Sequence, residues 1–433
     1  MNASPAFRAR RLLAGAILLA SLAVGLARAQ LTIDITTTGG RQVPIAVMPL
    51  AGDTSQPQSV GDVVGADLAR TGLFKLVNTG GVTPLPTEPS EVNFADWTTR
   101  NAEALVIGKI EPASDGRVEV RFRLFDVAKQ SQLASYSYVV ASAQLRATAH
   151  RIADVIYERL TGDKGVFSTK ITYVVKHGRR YELQVADADG FNAQSVLASN
   201  EPIMSPSWSP DGSRLAYVSF DQKKPIVVVQ NLAQGTTKVA ANYRGNNSAP
   251  AWSPDSRYLA VALSKDGLTQ VYRVPAGGGD AERLTDSPGI DTQPAYSPDG
   301  QWIAFTSDRG GSPQVYRMPA SGGAPTRLTF EGTYNVGPRY SPDGKSIAFV
   351  QRDSGRYRIA SLEIATGQVS VLTDGNLDDS PTYAPNGKMI LYEAQVGGRG
   401  QLAAVSGDGR VRQRLTSGAG DVQDPAWGPM PTN

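Results

Sequence analysis

Short apolar runs alternate with polar turns along the last two-thirds of the chain, and one arrangement of them recurs six times. It starts with the pattern Pro-x-aromatic-Ser-Pro-Asp-Gly, best preserved at residues 206–212, 294–300 and 338–344. An apolar run such as residues 215–218 follows each of these copies, and two further short runs complete the repeat. Short apolar runs bounded by Pro, Gly and Asp indicate β-strands, so each repeat predicts four strands.

The length of the repeat indicates what kind of array it forms. Its aromatic residue stands, at intervals of 44, 44, 44, 43 and 44 residues, at Trp208, Trp252, Tyr296, Tyr340, Tyr383 and Trp427. Such a period is typical of the four-stranded blades of a β-propeller. The last copy stops at Trp427, whereas residues 171–199 contain three predicted strands that lack a first one. Pairing these two ends closes six blades and removes open sheet edges.

The part of the chain before the repeats mixes both kinds of secondary structure. Apolar or alternating runs predict strands at residues 43–50, 73–77, 104–108, 118–125 and 135–140. One helix is predicted around residues 60–68 and a second at residues 143–160, each with an apolar face. The expected fold is an α/β N-terminal domain followed by an all-β six-bladed propeller, whose four-stranded first blade is closed by a C-terminal strand. We place the α/β domain at residues 42–163 and the propeller at 164–433.

The first residues predict export from the cytoplasm. Three arginines precede an uncharged apolar run at residues 12–26, which ends in Ala27-Arg28-Ala29. This is the pattern of a cleaved signal peptide, residues 1–29, and the run is short for a membrane span. Cleavage removes four arginines, so the formal net charge changes from +3 to about −1 and gives no reason to expect a nucleic-acid partner. The chain contains no cysteine, which excludes disulfides and thiolate chemistry.

A short alternating segment, residues 30–41, would begin the mature protein. Apolar residues at Leu31, Ile33 and Ile35 alternate with polar ones, and two glycines follow at positions 39 and 40. The segment can pair as an ordinary edge strand, or it can dock reversibly between domains. The pattern alone favours the ordinary strand.

Candidate catalytic and metal-binding residues are few. The aspartates of the Pro-Asp-Gly turns lie on separate blades, so they indicate turns and not one shared ion site. The two histidines, His150 on a helix and His177 in a turn, have no nucleophile motif near them. We read His150 as partly buried and His177 as solvated, and we expect no catalytic residue, no metal and no cofactor.

The exposed chemistry collects on one face of the predicted propeller, which we call the mouth. Loops that enter the first strands lie there and are acidic and rich in amides. Loops between the second and third strands share this face and carry basic residues at Lys223, Lys224, Lys265, Arg309, Arg352, Arg356 and Arg399. A mixed-charge ring suits protein recognition. The alternative is a set of ordinary solvated loop charges.

The arrangement of leader, α/β domain and repeats resembles the TolB family of the Tol-Pal system in Gram-negative bacteria. The resemblance covers the whole chain and is carried by Leu160-Thr-Gly162, Gly165-Val-Phe167, Met204-Ser-Pro-Ser-Trp208 and Pro313-Gln-Val-Tyr316. It implies a monomeric, non-enzymatic periplasmic adaptor that does not insert into the membrane, supports outer-membrane integrity and cell division, and is exploited by colicins.

The resemblance also implies two binding sites. The lipoprotein Pal would bind mouth residues Met204, Ser205, Asn246, Asn247, Ser248, Ala249, Asp291, Thr292, Gln293, Asn335, Val336, Asp378, Asp379 and Asp421. The protein TolA would bind the N-terminal segment at Gln30, Leu31, Thr32, Ile33, Asp34 and Ile35. Some members of the family have a histidine and a glutamate where this chain has Asn246 and Gln293.

Two other classes of function stay open at the level of sequence. One is a periplasmic propeller enzyme, a hydrolase or lyase acting on glycans, which needs convergent acids or a metal. The other is a small-ligand or structural module without a dedicated protein partner. Paired carboxylates deep in the propeller would favour the enzyme, and an absence of captured proteins would favour the module.

Overall fold

The computed structural model describes residues 32–37, 40–55, 57–416 and 420–431. The predicted signal peptide, together with Gln30 and Leu31, lies outside these residues. The described part contains an N-terminal α/β region followed by a six-bladed propeller, so the predicted fold class is confirmed. No helix among the described residues is long and apolar enough to cross a membrane.

The α/β region is built on one five-stranded sheet. Strand β1 (Thr32–Thr37) precedes this sheet in the chain but pairs with a strand of the propeller. The sheet comprises β2 (Val43–Val47), β3 (Phe74–Leu76), β4 (Ala104–Pro112), β5 (Val118–Asp126) and β6 (Ser131–Val140). Their order is β3-β2-β4-β5-β6, and β2 runs parallel to both neighbours. The pairing of β6 with β5 continues to the hairpin turn, so β6 begins earlier than the sequence predicts.

Helices cover both faces of this sheet. They are α1 (Val60–Arg70), α2 (Phe94–Thr99) and α3 (Leu145–Thr161). Ser59 caps α1 in a capping box with Asp62, and Gly162 ends α3 in a left-handed conformation. Helices α1 and α3 bury their apolar faces in one core, while Trp97 of α2 packs into a second core on Met48 and Phe125. Two short 3-10 turns lie at Pro89–Glu91 and Ser142–Gln144.

The propeller blades follow in chain order. Blade 1 contains β7 (Lys170–His177), β8 (Arg180–Asp187) and β9 (Gln194–Ser199). Blade 2 contains β10 (Ile203–Trp208), β11 (Arg214–Ser219), β12 (Ile226–Asn231) and β13 (Thr237–Ala241). Blade 3 contains β14 (Asn247–Trp252), β15 (Tyr258–Leu263), β16 (Gln270–Pro275) and β17 (Glu282–Arg283).

The remaining blades repeat this layout. Blade 4 contains β18 (Asp291–Tyr296), β19 (Trp302–Ser307), β20 (Gln314–Pro319) and β21 (Thr326–Arg327). Blade 5 contains β22 (Tyr334–Tyr340), β23 (Ser346–Asp353), β24 (Arg356–Glu363) and β25 (Val369–Val371). Blade 6 contains β26 (Asp378–Tyr383), β27 (Met389–Val396), β28 (Arg399–Ser406) and β29 (Val411–Thr416).

The last strand closes the ring. Strand β30 (Asp421–Trp427) pairs antiparallel with β7, with Trp427 opposite Ile171, and gives blade 1 its inner strand. The sheet order is β30-β7-β8-β9, so the predicted closure by the C-terminal strand is confirmed.

The repeated aromatic residues pack between blades, as the sequence predicts. The indole Nε1 of Trp252 donates to the carbonyl oxygen of Ser207 in the preceding blade at 3.0 Å. The indole of Trp208 likewise donates to Ala426 at 3.3 Å, across the closing seam. The rings of Trp208 and Trp252 therefore contribute both buried apolar area and a hydrogen bond to the contact between neighbouring blades.

The Pro-Asp-Gly segments form tight turns between the first and second strands. In blade 2 the Oδ1 atom of Asp211 accepts hydrogen bonds from the hydroxyl of Ser209 at 2.6 Å and the backbone N–H of Ser213 at 2.9 Å. The glycine that follows Asp211 has a φ of +70°, which a side chain would strain. The corresponding aspartates of blades 3, 4 and 5 make the same kind of turn bond, which supports the structural reading of these acids.

The α/β region contacts the propeller beside the closing seam. Lys388 of blade 6 forms an ion pair with Asp163 at 2.8 Å, and the amide of Asn386 donates to the carbonyl oxygen of Lys164 at 2.8 Å. A cavity of about 450 Å³ lies here, lined by Leu73, Tyr157, Phe167, Met389, Leu415 and Trp427 among others. The turns at this contact connect first to second strands, so the α/β region lies opposite the mouth.

We expect Trp427→Ala to lower the free energy of unfolding by about 2–4 kcal/mol, because it removes a large side chain at the closing seam. Guanidinium unfolding followed by tryptophan fluorescence would measure this change. Phe330→Ala is the matched control, since Phe330 is 72% exposed and should change stability by about 0.5 kcal/mol or less. Equal effects of the two substitutions would contradict a structural role for the closing aromatic residue.

Candidate protein-binding face

Six inner strands surround the central tunnel, and each of them bends at the same place. Strands β10, β14, β18, β22, β26 and β30 contact their neighbours around the ring. Each has a shift in register where its backbone turns left-handed, at Ser205, Ala249, Gln293, Gly337, Ser380 and Asp424. Five of these six residues are not glycine and have φ between +49° and +52°. Left-handed backbone at such residues is uncommon and often marks a functional site.

The bulges are held by contacts between neighbouring inner strands. The backbone N–H of Ser205 donates to Oδ2 of Asp424 at 2.9 Å, and the hydroxyl of Ser380 donates to Oδ1 of the same carboxylate at 3.0 Å. On the other side of the tunnel, Oε1 of Gln293 accepts from the N–H of Gly337 at 3.0 Å. Hydrogen bonds thus fix the positions of the strands that line the mouth.

Four of the polar residues predicted at the mouth have buried side chains. These are Asn247, Asp291, Asn335 and Asp378. The amide of Asn247 bonds to both the N–H and the carbonyl oxygen of Tyr243, and Asp291 forms a 2.7 Å ion pair with Arg309. These side chains therefore hold the entering loops in shape and are not presented to a partner.

Except for Val336, the other predicted residues are more accessible. Met204 and Asp379 are exposed, and Val336 is buried. The half-buried members are Ser205, Asn246, Ser248, Ala249, Thr292, Gln293 and Asp421. The predicted set thus divides into residues that shape the loops and residues that face the solvent or the tunnel.

A cluster of acids lies on blades 6 and 1 at the tunnel. Burial and the negative charge of Asp424 raise the pKa of Glu393 to about 8. Asp379 is accessible to solvent, but the protein atoms around its carboxyl reduce the hydration of that group and raise its pKa as well. Burial lowers the pKa of Arg339, the nearby cation. Close carboxylates in a partly enclosed site favour one protonated partner, so the negative charge of this cluster depends on pH.

The mouth also carries exposed apolar residues that the sequence analysis missed. Besides Met204 they are Leu268, Ile290, Phe330 and Leu377, each in a loop of this face. The sequence signal for them is an isolated apolar residue within a polar loop. Sequence alone does not show whether such a side chain is exposed or folds back onto the protein. Apolar side chains surrounded by polar loops are typical of a surface that binds another protein.

The predicted basic ring is partly neutralised within the chain. Lys223 pairs with Glu201, Lys265 pairs with Asp266 at 2.7 Å, and Arg309 pairs with the buried Asp291. The positive field around the mouth is therefore weaker than the sequence suggests.

The N-terminal strand lies at the outer edge of blade 6. Strand β1 pairs antiparallel with β29, from Thr32 opposite Thr416 to Thr37 opposite Val411, and makes this blade five-stranded. Since β29 runs toward the mouth, the start of β1 lies at the mouth end of the blade and its end lies toward the α/β region. An edge strand held mainly by backbone bonds can exchange with another strand.

One group among the described residues has the spacing of metal ligands, namely Asp67, His150 and Asp189. The guanidinium of Arg70 lies 3.2 Å from Asp67, and that of Arg146 bonds to Asp189. These cations already neutralise the carboxylates and would repel a metal ion. The group is therefore an ion-pair network and does not fit a metal centre.

The fold defines a class of protein in which a five-stranded α/β domain precedes a six-bladed propeller. The chain matches the family described as "TolB amino-terminal domain" over residues 31–133 and the one described as "TolB beta propeller domain" over residues 157–431. It is 66% identical over 424 residues to the Tol-Pal system protein TolB of Aromatoleum aromaticum, covering 98% of both chains.

Two further comparisons agree. The chain is 62% identical over 412 residues to the Tol-Pal system protein TolB of Methylobacillus flagellatus, covering 94% of this chain and 95% of the relative. The crystal structure of TolB from Acinetobacter baumannii superposes with a TM-score of 0.85 at 38% identity, covering 92% of this chain and all of that one. The chain belongs to the TolB family, which confirms the resemblance seen in the sequence.

We expect Glu393→Gln to stabilise the protein at pH 8.5. Folding raises the pKa of Glu393 from 4.5 to about 8, so native stability falls as the pH rises through this interval. At about 1.4 kcal/mol per pKa unit, reduced for partial exposure, the gain should be about 1–3 kcal/mol. Urea unfolding at pH 5 and pH 8.5 would measure it.

Glu331→Gln is the matched control, because Glu331 is an exposed acid in a loop of the same face. It should leave the pH dependence of unfolding unchanged. If Glu393→Gln and native protein lose equal stability between the two pH values, Glu393 does not hold a proton in the folded state.

Proposed function

We propose that this protein is a periplasmic adaptor of the Tol-Pal system, which binds the lipoprotein Pal at the mouth and TolA through its N-terminal segment. The observation that carries the proposal is near full-length identity of 62% and 66% to relatives named Tol-Pal system protein TolB. In this role the protein supports outer-membrane integrity and cell division, reaches the periplasm by a cleaved signal peptide, and offers the mouth to colicins.

The mouth has the chemistry expected of a protein-binding site. Exposed apolar residues such as Phe330 and Leu377 supply area that a partner can bury, and Asp379 and Asp424 supply charge beside it. The hydrogen-bonded inner strands hold these loops in place before the partner arrives, which reduces the entropy lost on binding.

At the two positions where some family members have other residues, the side chains of this protein form hydrogen bonds within the chain. The amide of Asn246 donates to the hydroxyl of Ser248 at 2.8 Å, and Gln293 accepts from Thr306 at 3.0 Å. Asn246 and Gln293 therefore act here as neutral hydrogen-bonding groups. The binding energy for Pal falls instead on the exposed apolar residues and on Asp379.

An enzymatic role for the tunnel acids has less support. A glycan hydrolase or lyase needs two carboxylates that are free to meet a substrate. Asp424 accepts hydrogen bonds from Ser205 and Ser380, and Glu393 accepts one from the N–H of Asp424 at 3.3 Å. These acids hold the inner strands together, so we assign the protein no catalytic residue and no cofactor.

For Pal binding, we expect Asp379→Lys and Phe330→Ala each to weaken the affinity of a purified Pal domain at least about tenfold. The first reverses an exposed charge of the mouth, and the second removes its most exposed apolar side chain. Isothermal titration calorimetry would measure both. Asp280→Lys, on an exposed loop of the opposite face, should bind normally. Unchanged affinity in both mouth variants would place Pal elsewhere.

For TolA binding, we expect deletion of residues 30–37 to abolish capture by the TolA domain while the propeller stays folded. The deletion removes strand β1, but β29 keeps its pairing with β28. A pull-down with the TolA domain, beside circular dichroism of the deleted chain, would test this. The Asp379→Lys variant should retain TolA binding. Capture of the deleted chain at the native level would refute the role of the segment.

A further inference from the structure

A buried histidine stands between the α/β domain and blade 1. His150 on α3 is 2% exposed. Its Nδ1 atom lies 2.6 Å from Oδ2 of Asp67 on α1, and its Nε2 atom lies 3.8 Å from Oδ2 of Asp189 in the turn between β8 and β9. One carboxylate belongs to the α/β domain and the other to the propeller. The imidazole ring therefore bridges the two parts of the molecule.

The Nε2 atom of His150 is buried without a hydrogen-bond partner. If the ring were neutral, its single N–H proton would be on Nδ1, where it forms the short hydrogen bond to Asp67. The lone pair of Nε2 would then face the carboxylate of Asp189, which is repulsive. A protonated ring carries N–H groups on both nitrogens and attracts both carboxylates.

The charges around the ring favour the protonated form. The carboxylates are Asp67 on α1, Asp154 on α3, and Asp187 and Asp189 at the end of β8 and the turn after it. The permanent cations are Arg70 on α1, Arg146 on α3, and Lys170 at the start of β7. Of these groups, Asp67 and Asp189 are the carboxylates that lie against the two ring nitrogens, so both attract a protonated His150.

Asp189 is engaged as an ionised acceptor, whereas burial raises the pKa of Asp154. The carboxylate of Asp154 accepts from the N–H groups of Phe167 and Ser168 at 2.7 and 3.2 Å. Asp189 accepts from the N–H of Phe191 at 3.0 Å and from Arg146. Asp189 therefore has no proton to share with the Nε2 atom of His150, so the proton at this contact belongs to the imidazole ring.

We propose that protonated His150 clamps the α/β domain to the propeller through Asp67 and Asp189, and that loss of its proton loosens this contact. We call this arrangement the His150 clamp. It opens as the pH rises through the raised pKa of His150, because the neutral ring can bond to Asp67 but not to Asp189. The contact between the two domains then depends on Arg146 and on the pairs at blade 6.

The direction of the pH dependence follows from the proton that the clamped state holds. Burial disfavours the charged ring, but Asp67 and Asp189 outweigh burial and raise the pKa of His150 above its usual value of 6.5. The clamp is therefore fully formed below about pH 6.5 and is lost as the pH rises through the raised pKa. Between these limits the ratio of clamped to open protein falls about tenfold per pH unit.

The clamp is connected to the strand that carries β1. Arg70, which lies 3.2 Å from Asp67, is followed by the end of α1, and its carbonyl oxygen accepts a hydrogen bond from the side chain of Gln413 in β29. Gln413 stands opposite Ile35 of β1 in the register. The C-terminal end of helix α1, which carries Asp67 and Arg70, thus contacts strand β29 of blade 6.

The proton on His150 can be observed directly. The chain has only two histidines, so His177→Gln leaves His150 as the single imidazole of the full chain. An NMR titration of the ring Cε1–H signal should give a pKa above 6.5. A pKa at or below 6.5 would overturn the proposal, because the ring would then be neutral in the folded protein at ordinary pH.

The domain contact can be measured in the same chain. The chain has no cysteine, so spin labels can be placed by Thr99→Cys on α2 and Gln234→Cys on an exposed turn of blade 2. Double electron–electron resonance should show a narrow distribution of distances between the two spin labels at pH 6 and a broad one at pH 9. An unchanged distribution from pH 6 to pH 9 would overturn the proposal.

Two variants separate the clamp from a general effect of pH. In Asp189→Asn the amide can donate to the neutral Nε2 atom, so the distance distribution should stay narrow at pH 9. His150→Gln carries no titrating group and should give the same distribution at both pH values, whereas His177→Gln should respond as the native chain does. A native-like pH response of His150→Gln or Asp189→Asn would assign the change to another group.

Discussion

The pairing of β30 with β7 is the interaction on which the rest of the propeller depends. It supplies the inner strand of blade 1 and joins the two ends of the ring with backbone hydrogen bonds and with Trp427. Once the ring is closed, the six inner strands are fixed relative to one another, and with them the loops of the mouth. Without this pairing, β7 would have an unpaired edge and β26 would lose its neighbouring inner strand. The inner strands with their left-handed bulges would then not form a closed ring.

The α/β domain reinforces the same seam. It contacts blade 6 through Asp163, next to the bond between Asn386 and Lys164, and it contacts blade 1 through the network around His150. Blades 6 and 1 are the two that the closing strand brings together, so the domain spans the place where the ring would first open. The contact area is polar at its margins and apolar around the cavity, as in interfaces that can form and separate.

The sequence predicts those features that depend on local pattern. The 44-residue spacing, the aromatic wedges and the Pro-Asp-Gly turns follow from residue types at fixed intervals, and the six blades and their closure follow from these. The short helix α2 was missed because six residues with three apolar side chains carry little periodicity. The burial of Asn247, Asp291, Asn335 and Asp378 could not be predicted, because the same polar loop residues can turn inward to their own backbone or outward to solvent. The bulges were hidden for a similar reason, since left-handed backbone at residues such as Ala249 and Gln293 is imposed by the ring and not by their own preference.

The position of β1 bears on the order in which the chain folds. This strand comes first among the described residues, yet its partner β29 belongs to the last full blade, so the two are separated by nearly the whole sequence. Contacts between such distant segments form late, because a large loop has to close before they can be made. We therefore expect the pairing of β1 with β29 to be among the last contacts that form as the chain folds.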